Sequence, residues 1–148
     1  MLNIRRISDG DRTAFISMAR DFYSTDAVVK RVPDGHFEAT FDELMRSDDY
    51  AICYVFEFNE AIVGYALLAK TFSQEAGGFV LWIEEIYVLP QFRKNGIGRA
   101  FFDFLLANRP SEVKRLRLEV ERRNEGAVRL YQSFGFDFLE YDQMIIDF

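Results

Sequence analysis

Between Gly77 and Val120 the hydrophobic pattern switches twice, and no other stretch restricts the fold as much. Residues 79–89 are apolar at nearly every position except Glu84 and Glu85, which predicts a strand covered on both faces. Ile97, Ala100, Phe101, Phe104 and Leu105 then follow helical spacing, and the stripe stops before Pro110. Residues 115–120 alternate as a second strand. A strand, a helix and a strand in this order predict a parallel pair joined by a right-handed crossover. The expected class is therefore α/β.

The flanks extend this unit. Leu2, Ile4 and Ile7 predict a short first strand, and Phe15, Met18, Ala19 and Phe22 an amphipathic helix. Residues 24–36, containing Pro33-Asp34-Gly35, read as a loop. Phe37, Phe41, Leu44 and Met45 repeat the helical stripe. Residues 51–58 alternate, with Ile52, Tyr54, Phe56 and Phe58 on one face, and Asn59-Glu60 turns them into a second strand over 61–68. Ala127, Leu130, Tyr131 and Phe134 make the last helix, closed by Gly135. Residues 136–138 and 144–146 predict a closing pair of strands. The expected order is β-α-α-β-β-β-α-β-α-β-β, a mixed sheet in one domain spanning 1–148, with no repeat or linker.

Composition narrows the function classes. Lys plus Arg is 18 and Asp plus Glu is 24, a net charge of −6. That balance argues against a general nucleic-acid binder, which needs surplus cations to displace counterions. It fits a cationic partner, although solubility alone accounts for an acidic surface equally well. One cysteine and one histidine leave no disulfide framework and no thiolate zinc cluster, so no metal is expected. No uncharged apolar run reaches about 18 residues, and Met1–Arg6 lacks the apolar centre of a signal peptide. The expectation is a cytoplasmic protein without a membrane partner.

The chemistry-bearing segment runs from Val88 to Arg99. Gly96 and Gly98 permit positive φ and close backbone approach at the start of a helix. The first N–H groups of that helix lack internal partners, and its dipole adds positive charge. Arg93, Lys94 and Arg99 add full charges beside them. This is a cradle for a pyrophosphate. It is not a P-loop, because Arg99-Ala100 follows Gly98, and the third glycine of a dinucleotide fingerprint is replaced by Phe101. Taken alone, the glycines fit a tight turn with solvated cations equally well.

Arg93-x-x-Gly96-x-Gly98, between a strand and a helix, resembles the Arg/Gln-x-x-Gly-x-Gly/Ala motif of the GNAT superfamily of N-acetyltransferases. The preceding run Ile83-Glu84-Glu85-Ile86-Tyr87-Val88-Leu89-Pro90 is similar to that family's strand before the motif. Asn124-x-x-Ala127-x-x-Leu130-Tyr131-x-x-x-Gly135-Phe136 resembles its later helix. Within the family the Glu-Glu-Ile-Tyr-Val run and the downstream tyrosine are similar to the small-molecule, diamine acetyltransferases. The resemblance implies acetyl-CoA as co-substrate, with its pyrophosphate on the backbone of Arg93, Lys94, Asn95, Gly96, Ile97, Gly98 and Arg99. It implies a pantetheine arm beside Ile86, Tyr87 and Val88, where central parallel strands splay apart, and a cofactor contact from Asn124. Asn124 is equally suited to be a simple helix cap.

The same resemblance assigns Tyr131 as the acid that protonates the departing thiolate. A free thiol has a pKa of about 8.5 and a phenol about 10, so most of that help is a strengthening hydrogen bond. Without the motif, Tyr131 on an apolar stripe reads as a core tyrosine. Glu84 and Glu85 are adjacent in a strand, so they face opposite sides unless a bulge intervenes. An alkylamine is protonated at neutral pH and must lose its proton to attack, a task for a carboxylate acting through water. The family comparison favours Glu84 as base and Glu85 as substrate-binding or structural support, whereas a buried salt bridge or a solvent-exposed edge fits either residue equally well. Cys53 and His36 read as structural, and Arg122 and Arg123 as a solvated pair. Asp42, Glu43, Asp48 and Asp49 read as a solvated helix face.

The resulting expectation is acetyl transfer from acetyl-CoA to a primary amine of a small molecule or peptide, by direct attack in a ternary complex. The alternatives are a CoA-binding regulatory or interaction module without turnover, and transfer of another acyl group. Edge strands near the C-terminus also suit a homodimer.

Overall fold

A computed structural model describes residues 1–25 and 30–148. The elements run β1 Leu2–Arg6, α1 Arg12–Phe22, α2 Asp34–Arg46, β2 Ala51–Phe58, β3 Ala61–Ser73, β4 Gly78–Val88, α3 Ile97–Ala107, β5 Val113–Leu118 and α4 Glu125–Ser133. The five strands form one sheet in the order β1-β2-β3-β4-β5. The first three pairings are antiparallel, and β4–β5 is parallel, as the crossover requires. The expected α/β class and mixed sheet are present.

The β2–β3 turn works because Asn59 and Glu60 both adopt positive φ, 49° and 66°, the backbone of a turn that matches strand twist. Gly64 lies where β3 passes β4. A Cβ there would stand 2.3 Å from the Tyr87 carbonyl oxygen, so only glycine allows this approach. At the end of α4, Gly135 takes φ 96°, the Gly135 N–H donates to the Gln132 carbonyl, and Phe136 N–H donates to the Tyr131 carbonyl. That is a helix-ending motif with its apolar contact, Phe136 against Tyr131.

Each sheet face carries its own core. One face joins Phe56, Leu68, Leu81 and Ile83 to Phe101, Phe102 and Leu105 of α3. The other joins Cys53, Val55, Tyr65 and Tyr87 to Phe15, Ala19, Phe37 and Phe41 of α1 and α2.

Two expectations are corrected. α2 begins at Asp34 with Pro33 as its N-cap, so Asp34, Gly35 and His36 are its first turn rather than loop. Proline suits that place because its missing N–H is not needed at a helix start. Residues 26–29 of the expected loop lie outside the described residues. The closing strand pair does not form, and residues 134–148 carry no strand. Met144, Ile145 and Ile146 stay exposed. Among the described residues no helix is long and apolar enough to cross a membrane.

Candidate active site

The site originates in a single extra residue. Along β3 and β4, Leu67 pairs with Glu85 and Leu68 pairs with Ile83, so Glu84 is the unpaired residue of a bulge. The bulge swaps the facing of the strand. Leu81 and Ile83 point into the α3-side core, yet Tyr87, in step with them by alternation, points into the α1-side core. Glu85 follows Tyr87 and is only 9% exposed. Its two carboxylate oxygens accept hydrogen bonds from Tyr23 Oη and Tyr65 Oη, each 2.6 Å long.

The parallel pairing stops at the same level. Ile83 and Leu118 are its last partners, and from Glu85 to Val88 β4 is paired on the β3 side only. The strands part there and open a cleft of about 1300 Å³. Its lining includes Glu84, Ile86, Tyr87, Val88, Arg93 and Tyr131. Glu85, Glu119, Asn124 and the α1 end, Phe22 and Tyr23, also line it. Unpaired strand backbone along a cleft is a template for an extended polar ligand.

Glu84 meets this cleft with its carboxyl pushed above the ordinary carboxylate range. Burial is the first cause, the facing Glu119 the second and Glu85 the third. Tyr131 has its ring against Phe102 at 5.5 Å, on the apolar side. Its hydroxyl has no hydrogen-bond partner among the described residues. Burial raises its pKa, so it holds its proton at neutral pH. The core-tyrosine reading and the functional one thus describe different ends of one side chain.

The glycine turn adjoins the cleft. Arg93 lines it and is held by Nε donation to the Val88 carbonyl at 2.8 Å and by Tyr87 beneath its guanidinium. Lys94 and Gly96 both take positive φ, 64° and 77°, a local alternation of hand of the kind from which backbone N–H concavities are built. The space where a Gly98 Cβ would stand is empty of protein within 4 Å, so no internal packing accounts for that glycine. Asn95 spends its side chain on the Phe92 and Arg93 carbonyls, and Arg99 leans on Ser133 and Phe134. Lys94, Asn95, Gly96, Ile97, Gly98 and Arg99 stand at the α3 entrance beyond Arg93. Asn124 caps α4, accepting from Ala127 N–H at 3.3 Å, and also lines the cleft.

Sequence reasoning missed Glu119, Tyr23 and Phe22 in this wall. Glu119 had a detectable signal, since it lies in the alternating segment 115–120 and meets the level of Glu84 once the parallel register is set. Tyr23 had none, because it lies 62 residues from its partner Glu85. The remaining candidates fall elsewhere. Cys53 is fully buried and its thiol is pushed up by burial, which removes it as a nucleophile. Asp42, Glu43 and Asp48 pair with Arg12, Arg46 and Arg6 on the surface. Arg123 lines the cleft rather than standing free of it, and Arg122 packs over Phe138. Among the described residues no group of three or more His, Cys, Asp or Glu is arranged to hold a metal ion.

Comparison with known proteins places this architecture. Spermine/spermidine N(1)-acetyltransferase of Bacillus subtilis (strain 168) is 23% identical over 146 residues, 93% of this chain and 88% of that protein. A possible acetyltransferase from Clostridium difficile 630 superposes with a TM-score of 0.80 at 20% identity, over 99% of both chains. The aminoglycoside N-acetyltransferase AAC(6')-Iy, bound to the bisubstrate analogue CoA-S-monomethyl-acetylneamine, superposes with a TM-score of 0.81 at 15% identity, over 99% of this chain and 98% of that one. The model of the Acetyltransferase (GNAT) family matches residues 13–136, and with the bulged strand, the splayed cleft and the glycine turn in their places, this chain belongs to that family.

Proposed function

We propose that this protein transfers the acetyl group of acetyl-CoA to a primary amine by direct attack within a ternary complex. One observation carries the reading. Glu84 and the unpartnered Tyr131 hydroxyl open onto a single cleft, beside a turn built for anionic phosphates.

The residues fit the co-substrate. Backbone N–H groups from Arg93 to Arg99 would hold its pyrophosphate, with the charges of Arg93, Lys94 and Arg99 around them. The free side of Ile86, Tyr87 and Val88 would bind the amide-bearing arm as a strand binds a neighbour. Asn124 is available at the cleft rim. Acetyl-CoA supplies the thioester bond that is broken.

Glu84 takes a proton from the substrate ammonium, through water, and leaves the nitrogen lone pair free to attack. Its raised pKa makes it a better proton acceptor than an ordinary glutamate. Tyr131 Oη presents its proton at the thioester end and stabilises the negative charge that develops on the leaving sulfur. Holding both reactants in one cleft supplies a large part of the rate through lost translational freedom, in advance of chemistry. Cys53 has no part, which favours direct attack over an acyl-enzyme.

Calorimetry with acetyl-CoA, followed by release of free thiol across a panel of polyamines, aminoglycosides, amino acids and peptide N-termini, tests the proposal. Saturable binding and amine-dependent thiol release are expected. Absence of binding at millimolar cofactor overturns it. Binding without release for any amine favours a regulatory CoA-binding module. Release that is faster with a longer acyl chain favours the other acyl group.

A homodimer accompanies the proposal. β5 is an edge strand, and Met144, Ile145 and Ile146 are exposed and belong to no strand. Pairing of the 144–148 stretch of one copy with the β5 edge of another removes both exposures. Sedimentation of the full chain against one ending at Gln143 tests this, with loss of the dimer expected in the shorter chain.

A further inference from the structure

The side chains of Tyr87 and Asp21 link α1 to the glycine turn. The bulge in β4 turns Tyr87 toward α1, where its ring stacks on Tyr65 at 6.0 Å and meets the edge of Phe22 at 6.4 Å. Its hydroxyl donates to the carboxylate of Asp21, in the last turn of α1. Burial first, and the Asp21 bond second, keep the phenol protonated at neutral pH.

Arg93 is the other end of that link. Its guanidinium lies 5.6 Å from the centre of the Tyr87 ring, and its Nε donates to the Val88 carbonyl at 2.8 Å. That carbonyl faces the open side of β4. Leu89 N–H donates to the Val63 carbonyl, so those two residues form a hydrogen-bonded pair and the adjacent pair, Val88 with Gly64, does not. In an antiparallel ladder the polar groups of the second kind of pair point away from the partner strand. The guanidinium is therefore pinned to the edge that the parted strands expose. It also stands close enough to the Tyr87 oxygen to oppose the rise in that phenol's pKa. Arg93 forms no ion pair among the described residues. Its planar fork keeps the remaining N–H donors in fixed directions once one edge is held.

We infer that Tyr87 is a positioning residue for the co-substrate: its hydroxyl, anchored by Asp21, orients the Arg93 guanidinium for the diphosphate group of CoA. A free arginine side chain loses rotamer freedom when it binds a phosphate, and one already held at two points loses less. Tyr87 and Asp21 thus set the affinity for the phosphate-bearing part of CoA without touching it, and leave the affinity for its pantetheine arm alone. This rests on the reading of the glycine turn as the seat of acetyl-CoA.

Calorimetry of the full-length protein with CoA, and with pantetheine, which lacks the phosphates, tests this. Tyr87→Phe keeps the ring and removes the hydroxyl, and Asp21→Ala removes the anchor at an exposed position. Each should raise the Kd for CoA about fivefold, the scale of one hydrogen bond, and leave that for pantetheine within about twofold. In an Arg93→Ala background the same two changes should alter the CoA Kd by less than about twofold, because the side chain they orient is gone. Equal losses with and without Arg93 overturn the inference, since a Tyr87 that only supports the fold acts in both backgrounds. So does an unaltered CoA affinity in folded Tyr87→Phe and Asp21→Ala proteins, or an equal loss for CoA and pantetheine. If CoA binds but no amine is acetylated, the catalytic reading fails separately and the Kd values still decide the inference. If the wild type does not bind CoA, both fail together.

Discussion

The two faces of the sheet are built from different materials. The α3 side is dry: its buried side chains are Ile, Phe, Val, Ala and Leu, with no oxygen among them. The α1 side holds Tyr65, Tyr87, Cys53 and, at its margin, Glu85, with Tyr87 Oη donating to Asp21. Burial and the Asp21 bond push the Tyr87 phenol up to about 12. Hydrocarbon contacts are non-directional and supply stability. Hydrogen bonds between buried polar groups are directional and hold positions, at a cost if one partner is lost. The dry face anchors α3 and its glycine turn, and the polar face holds Tyr23 and Glu85 at the α1 side of the cleft.

Changes on the two faces should therefore have different signatures. The largest effect is expected on the dry side. Phe102 touches Phe101, Tyr131, Phe134 and Phe136, so Phe102→Ala should cost about 3–5 kcal/mol of unfolding free energy in urea. A loss below about 1 kcal/mol contradicts the view of this face as the main source of stability.

Next come two variants at the seam between the faces. Glu84→Gln should lower kcat/KM by roughly 10²–10⁴. In the wild type the active form is the deprotonated one. Activity should thus rise with pH through a Glu84 pKa that burial and Glu119 have placed above the ordinary value of 4.5. The acid limb should disappear in the variant, and an unchanged limb assigns the base elsewhere. Tyr131→Phe should lower kcat by about 10²–10³ with cofactor affinity retained. Because the hydroxyl bonds to no protein group, thermal stability should stay within about 1 kcal/mol of the wild type. Unfolding instead would make Tyr131 a structural tyrosine.

A smaller effect is expected on the polar side. Tyr65→Phe leaves one Glu85 oxygen without its donor in a fully buried place, a loss of about 1–3 kcal/mol. Unlike Phe102→Ala, it should also alter acceptor KM, which steady-state kinetics will read. A stability loss with unchanged acceptor kinetics erases the distinction between the faces. Smallest is Asn124→Ala, which removes a helix cap worth about 1 kcal/mol and, if Asn124 also meets the cofactor, weakens calorimetric binding of acetyl-CoA.

Much of this was legible in the chain. The crossover, both amphipathic helices before β2, the Asn59-Glu60 turn and the glycine turn each rest on local periodicity or a local backbone demand. The closing strands were misread for the same reason: 136–138 and 144–146 have strand-like composition, but a strand also needs a neighbour. In the site, Glu84, Arg93, Asn124 and Tyr131 came from motif resemblance, and the structure brings all four to one cleft. Tyr23 and Glu119 did not, because their nearness to Glu85 and Glu84 depends on how α1 and β5 dock against β4.

By itself the sequence determined the class of fold, the crossover and the glycine turn, since hydrophobic period and glycine placement act within a few residues of each other. Only the tertiary structure decided which way Glu84 and Glu85 face. The bulge that separates them is a mismatch between two strands, and a mismatch exists only once both strands are paired.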